Sequence, residues 1–305
     1  LRRHALDGAT EGLDIAHTTL THMAEGGIYD HLGGGFARYS VDDTWTIPHF
    51  EKMLYDNAML ARIFALAAGP LGRESFLTVA TRTCDYVIRD LTDPIGAFRS
   101  AYDADANGKE GSYTVWDHAD VTRITGDAFA AHYSSKPAGN WRDEATGHPE
   151  TTNILHIGSG IGDVRYPATS DLMLPELTTL LHVRNQRTPP LCDHKVLVSW
   201  NGLMIGALAK VGQISQRQDL LEAAITAAKA ILDHAIINGT LRHSITVARA
   251  DGPASAGMAS GTISGSPGSS ACGPAAGGKI MRSAIKNSTT APPICKDTSD
   301  RLMAF

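Results

Sequence analysis

The stretch GGIYDHLGGGFARYSVDDTWTIPHFEKMLYDNAML, residues 26–60, decides how the rest of the chain is read. It follows a helical pattern over 11–25, in which Leu13, Ala16, Leu20 and Met23 recur near the helical period and Gly26-Gly27 supplies the stop. A glycine-rich, aromatic connection runs from Ile28 to Thr46. Pro48 then stands where the first position of a helix tolerates proline. The spacing of Phe50, Met53, Leu54, Ala58, Ala61, Phe64 and Ala65 predicts a helix from His49 to Ala68. On such a helix Lys52 and Asp56 lie four residues apart, as do Glu51 and Tyr55, so one flank carries two carboxylates, an ammonium and a phenol.

Outward from this block the helical period recurs. A helix is predicted over 74–91, with Phe76, Val79, Cys84, Val87 and Leu91 inward and a stop before Asp93-Pro94. Residues 97–102 and 112–116 flank turn-forming residues and read as a two-stranded hairpin, after which Asp117 caps a helix to Thr125. The segment 134–170 reads mostly as loop. Helices return over 172–186, 200–213 (with Ser199 as cap) and 219–237, and a short strand follows at 240–244. Helices joined by short turns, with small β-hairpins inserted, predict a mainly α fold of helical hairpins rather than a βαβ sheet.

Composition divides the chain. All four Trp, eight Tyr and thirteen His precede Ile245, and Phe305 is the lone aromatic residue after it. Gly, Ser, Ala and Pro make up 26 of the 40 residues between Asp251 and Thr290, too little apolar bulk to offset the entropy of ordering. Residues 1–244 are therefore expected to form the domain, and 245–305 a disordered tail. The start at Leu1 without Met, and without a signal-peptide pattern, leads us to expect a piece of something longer.

A net charge of −5 argues against a general nucleic-acid or anionic-membrane binder, and no apolar run approaches the ~20 residues of a membrane span. The four cysteines form no Cys-x-x-Cys, so no local redox pair or zinc ribbon is expected, and a reducing, cytoplasmic compartment is the default. No cofactor or metal is expected.

Three blocks hold the candidate chemistry. In the first, Phe36, Arg38, Tyr39, Trp45, His49, Glu51, Lys52, Tyr55 and Asp56 combine rings with charge, as a ligand cleft does. Gly33-Gly34-Gly35 lacks both the preceding strand and the Lys-Ser/Thr of a phosphate cradle, so close backbone approach is its expected role. In the second, Asp103-x-Asp105-x-Asn107-Gly108 matches half of a calcium loop, but Thr114 stands where the closing Glu belongs. A hairpin tip held by Asx turns is the preferred reading, with the acidic loop lining the cleft as another. In the third, Asp193, Lys195, Trp200 and Asn201 bring charge, a ring and an amide together.

These blocks, residues 26–60, FRSAYDADANGKEGSYTVW (98–116) and DHKVLVSWNGLMIGALAK (193–210), resemble the thioredoxin-domain-containing, spermatogenesis-associated protein family. The resemblance covers about Asp14 to Ser244. It implies an incomplete (α/α)6-type toroid of helical hairpins, similar to N-acylglucosamine 2-epimerases and six-hairpin glycosidases. The family's thioredoxin-like domain is missing here, so no redox activity carries over. The family's further toroid helices give way after Ser244 to the Gly/Ser/Ala/Pro segment, for which a reading-frame change or gene decay is the hypothesis; that the shortened toroid has no activity is a further hypothesis. In related toroids acid/base residues exchange a proton beside a carbonyl. The resemblance implies His49 and Glu51 as acid/base candidates. Arg38, Trp45, Lys52, Tyr55, Asp56, Asp103, Asp105, Trp200 and Asn201 would hold a sugar-like small molecule. A non-catalytic scaffold for the thioredoxin-like domain or a protein partner is the alternative.

Overall fold

The computed structural model describes residues 1–143, 146–157 and 174–245. The expected tail from residue 246 onward, and the part of the expected loop and helix start at 158–173, lie outside the described residues. The chain begins with α1 (Arg2–Asp7) and α2 (Glu11–Glu25), the latter ended by Gly26 as its sequence predicts. Short strands β1 (Tyr39–Ser40), β2 (Pro48–His49) and β3 (Lys52–Met53) lead into α3 (Leu54–Ala68) and α4 (Glu74–Tyr86). The backbone of α4 continues as a π-helical turn, Val87–Leu91. Next come β4 (Ala101–Tyr102), β5 (Asp105–Ala106), β6 (Lys109–Glu110), α5 (His118–Thr125), α6 (Asp127–His132), β7 (Trp141–Arg142) and β8 (Pro149–Glu150). The described part closes with α7 (Leu174–Arg184), β9 (Cys192–Asp193), β10 (Val196–Leu197), α8 (Val198–Ser215), α9 (Gln218–Ala235), β11 (Ile236–Ile237), β12 (Thr240–Leu241) and β13 (Ser244–Ile245). The architecture is mainly α, with small strand pairs set between the helices, as predicted.

Helix α3 packs against α4 and α8, and α8 against α9. Their shared core buries Leu54, Ala61, Phe64, Phe76, Val79, Met204, Leu208 and Leu220. A second core joins α5, α6 and α7 around Trp116, Phe129 and Leu180. Small residues on α3 allow the helices to approach closely: Ala58, Ala61, Ala65 and Ala67 are all buried.

Three sequence expectations fail locally, each because a long-range strand pair takes the backbone. The helix predicted from His49 begins only at Leu54. Pro48–His49 pairs with Tyr39–Ser40, Lys52–Met53 pairs with Ala101–Tyr102, and the Arg38 N–H donates to the Glu51 carbonyl at 2.9 Å. The predicted pairing of 97–102 with 112–116 is absent among the described residues; Ala101–Tyr102 instead lies between Lys52–Met53 and Cys192–Asp193. The inserted hairpin is the tighter one, β5 with β6, turning at Asn107-Gly108 with φ of 55° and 75°. Ser199 lies inside α8, whose N-cap is Leu197, because β10 runs directly into the helix.

The junctions of β3 with α3 and of β10 with α8 are built alike. Asn57, the fourth residue of α3, accepts the Phe36 N–H at 2.7 Å and donates to the carbonyls of Phe36 (3.1 Å) and Met53 (2.9 Å). Asn201, the fourth residue of α8, accepts the Phe98 N–H at 2.8 Å and donates to the carbonyls of Phe98 (2.9 Å) and Leu197 (3.0 Å). Both amides are fully buried, and each sews its helix start to an extended segment brought from elsewhere.

A buried ionic triad fixes the glycine-rich loop. Asp30 accepts from Lys52 Nζ at 2.7 Å through one oxygen, and from Arg184 Nη1 at 2.8 Å and the Leu32 and Gly33 N–H groups through the other. Burial alone would raise the Asp30 carboxyl, but Arg184 and Lys52 hold it well below the usual carboxylate range. Close approach does explain the glycines: Gly34 and Gly35 have φ of +77° and +79°, and a Cβ there would strike the Arg82 carbonyl and the Tyr86 ring.

Two outcomes follow. Asn57→Ala or Asn201→Ala leaves a buried N–H and C=O unpaired and lowers urea-unfolding stability by about 2–4 kcal/mol each; a loss below ~1 kcal/mol contradicts the lock. Asp30→Asn, which strands two buried cations, costs about 3–5 kcal/mol at neutral pH. Since the folded-state value is depressed, this stabilisation exists above pH ~4 and fades as pH falls through the folded value. Unfolding curves of parent and variant therefore converge in acid.

Candidate functional site

The first turns of α3 and α8 face each other. Tyr55 and Trp200 meet with ring centroids 4.7 Å apart and planes at 60°. Arg38, held by its backbone bond to Glu51, places Nη1 3.1 Å from Glu51 Oε2 and also reaches the Tyr55 hydroxyl. The β1–β2 register sets Tyr39 beside His49, and their rings stack at 5.0 Å with 24° between planes.

His49 is the centre of this cluster. Its Nδ1 lies 2.9 Å from Glu110 Oε1, which also accepts the Phe50 N–H at 3.2 Å, and its Nε2 lies 3.7 Å from Glu51 Oε2. An imidazole is thus held between two carboxylates, with about a quarter of its side chain open to solvent. A carboxylate on Nδ1 favours the tautomer with hydrogen there, leaving Nε2 as the basic nitrogen. Asp56 flanks the group: burial pushes its carboxyl up to about 6, with Arg38 pulling it down and Glu51 up.

The structure brings Arg38, His49, Glu51, Tyr55, Asp56 and Trp200 together, but not on the single helical flank that the sequence suggests. Strand alternation between Glu51 and Lys52 separates them. Lys52 turns to Asp30, the Gly34 carbonyl and the Tyr86 ring, 4.3 Å from its centroid. Asn201 is consumed by backbone groups. Trp45 packs at Gly26, its carbonyl accepting the Ile28 N–H at 3.4 Å, and Phe36 is fully buried in the core. Asp103 and Asp105 are exposed at the base of the β5–β6 hairpin, where the Asp103 carboxylate accepts the Asp105 N–H at 3.4 Å. No group of three or more His, Cys, Asp or Glu among the described residues is arranged to hold a metal ion.

Glu110 is the site residue that sequence reasoning missed. Its signal was the Asn107-Gly108 turn, which places residue 110 opposite Asp105 in a two-residue hairpin. The spacing could not show that this hairpin folds back on His49, 61 residues away in the chain.

No helix of the described residues is long and apolar enough to cross a membrane. No family model matches the chain. Human spermatogenesis-associated protein 20 is 34% identical over 247 residues, covering 72% of this chain and 31% of that protein. An uncharacterised protein of Caenorhabditis elegans is 29% identical over 272 residues, covering 78% of this chain and 36% of that one. Among solved structures, a D-mannose isomerase aligns over 73% of this chain and 52% of its own, at 12% identity and a TM-score of 0.30. A sugar epimerase from a ruminal bacterium aligns over 80% of this chain and 76% of its own, at 13% identity and a TM-score of 0.30. Superpositions of that quality carry no argument about fold or chemistry. By sequence, over most of its length this chain is a relative of spermatogenesis-associated protein 20, and it spans about a third of the curated relatives it matches.

Proposed function

We propose that the His49 cluster is an acid/base site for a hydroxylated, sugar-like small molecule, set in an arc of an (α/α) toroid. The observation that supports this reading is the imidazole between Glu110 and Glu51, beside the Arg38 guanidinium and the Tyr55 and Trp200 rings. Aromatic faces suit the C–H face of a sugar ring. Nε2 of His49, with Glu110 fixing Nδ1, is the base that would take a proton from a carbon next to a carbonyl, and Arg38 would stabilise the oxyanion that forms. Glu51 holds Arg38 and His49 in mutual register.

The test is proton exchange. The chain is incubated with reducing hexoses in D2O, and loss of the C2–H signal is followed by NMR. Exchange above the buffer rate, reduced at least ~100-fold by His49→Gln, is expected. No exchange and no sugar-dependent rise in Tm would remove the reading. Cofractionation with a protein partner, unaffected by His49→Gln and Glu51→Gln, would then favour a non-catalytic scaffold.

The site also carries a pH signature of its own. Asp56 titrates near 6 in the folded chain, above the ~4 of an unfolded carboxyl. Its contribution to stability is complete below pH ~4 and is lost as pH rises through 6. Asp56→Asn should therefore lose less stability than the parent between pH 4 and 7, measured by urea midpoints; parallel curves would count against the half-buried, raised carboxyl.

A further inference from the structure

Away from the His49 cluster, an open groove of about 450 Å³ runs between α4 and α7. Its α4 wall is a single polar stripe, Thr78, Thr81, Arg82 and Asp85, continued by Arg89 of the π-helical turn. Leu177 and Leu181 of α7 form the apolar wall opposite.

The two arginines sit side by side because they bind consecutive carbonyls of one loop. Arg82 Nη2 donates to His31 (2.8 Å) and Leu32 (3.2 Å), and Arg89 Nη2 donates to Gly33 (2.8 Å). A single nitrogen of Arg82 serves those carbonyls, which leaves the rest of its guanidinium fork without a carboxylate. The other charges nearby are matched: Arg89 with Asp90 at 2.6 Å, Arg184 and Lys52 with Asp30, and Arg217 with Asp85 at 2.7 Å. Among the described ion pairs Arg82 has no carboxylate partner. A local positive charge remains in a groove of a chain whose net charge is −5.

We propose that this groove binds an oxyanion group, phosphate or carboxylate, carried by a small organic molecule. Arg82 takes the anion, with the Asp90-paired Arg89 beside it; the Thr78 hydroxyl donates to it, that of Thr81 being given to the Thr78 carbonyl at 3.0 Å, and Leu177 and Leu181 cover the apolar part of its bearer. A planar guanidinium fork matches the spacing of phosphate and carboxylate oxygens, and charge-assisted bonds of this kind are the strong ones. The groove lies on the Asp30–Gly34 side of the loop whose far end carries Arg38, so it is a second site and does not depend on the acid/base reading.

The test uses the full chain and two probes, inorganic phosphate and acetate, each titrated against sodium chloride at matched ionic strength, with Tm and backbone amide shifts as readouts. Saturable binding that chloride does not reproduce is expected, and Arg82→Gln should weaken it about tenfold or more. Because Arg82 also holds the loop, Asp85→Asn provides a variant that leaves those carbonyl bonds in place. Removing that carboxylate from the groove wall should tighten phosphate binding several-fold. Preference for phosphate over acetate assigns a phosphate ester, and the reverse a carboxylate. Equal effects of chloride and both probes, or phosphate affinity unchanged by Asp85→Asn, would overturn the proposal.

Discussion

The contact between Asp30 and its two cations is the constraint on which the rest of the described structure depends. It joins three segments distant in sequence: the loop after α2, the strand β3 and the end of α7. A carboxylate buried this deeply is tolerable only because both oxygens are saturated, by Lys52 on one side and by Arg184 and two backbone N–H groups on the other. The geometry also has a directional effect. With Lys52 drawn inward, its neighbour Glu51, just ahead of β3, lies the opposite way, toward Arg38 and His49. The ionic centre and the His49 cluster are therefore two sides of one segment.

Much of the helical framework was legible, because apolar residues at helical spacing report a buried face wherever the partner lies. The helix α2, the core residues of α4 and the bodies of α8 and α9 follow from that alone. The strands were not legible. A two-residue strand has no period to detect, and the pairing of Lys52–Met53 with Ala101–Tyr102, and of that pair with Cys192–Asp193, is set by contacts roughly 50 to 90 residues apart. The helix drawn from His49 failed at that point: its apolar period was sound from Leu54 onward, but three of the five residues before it, His49, Lys52 and Met53, are claimed by strands.

The same distinction runs through the site. Arg38, His49, Glu51, Tyr55, Asp56 and Trp200 could be named from residue type, since rings beside charges are unusual on a plain helix face. Their grouping could not, nor could the different fates of neighbours such as Glu51 and Lys52, or Trp200 and Asn201. Asn201 illustrates the difficulty: an amide beside a tryptophan suggests ligand recognition, whereas its three hydrogen bonds all go to main chain.

The repeated asparagine lock divides labour between adjacent positions. Asn57 and Asn201 secure the starts of α3 and α8 through backbone atoms only, so the first-turn residues immediately before them, Tyr55 with Asp56 and Ser199 with Trp200, are not required to hold the helix ends in place. Substitution of Tyr55 or Trp200 removes a ring contact without breaking the asparagine bonds. In evolutionary terms, the bonds of the framework and the rings beside them are under separate constraints.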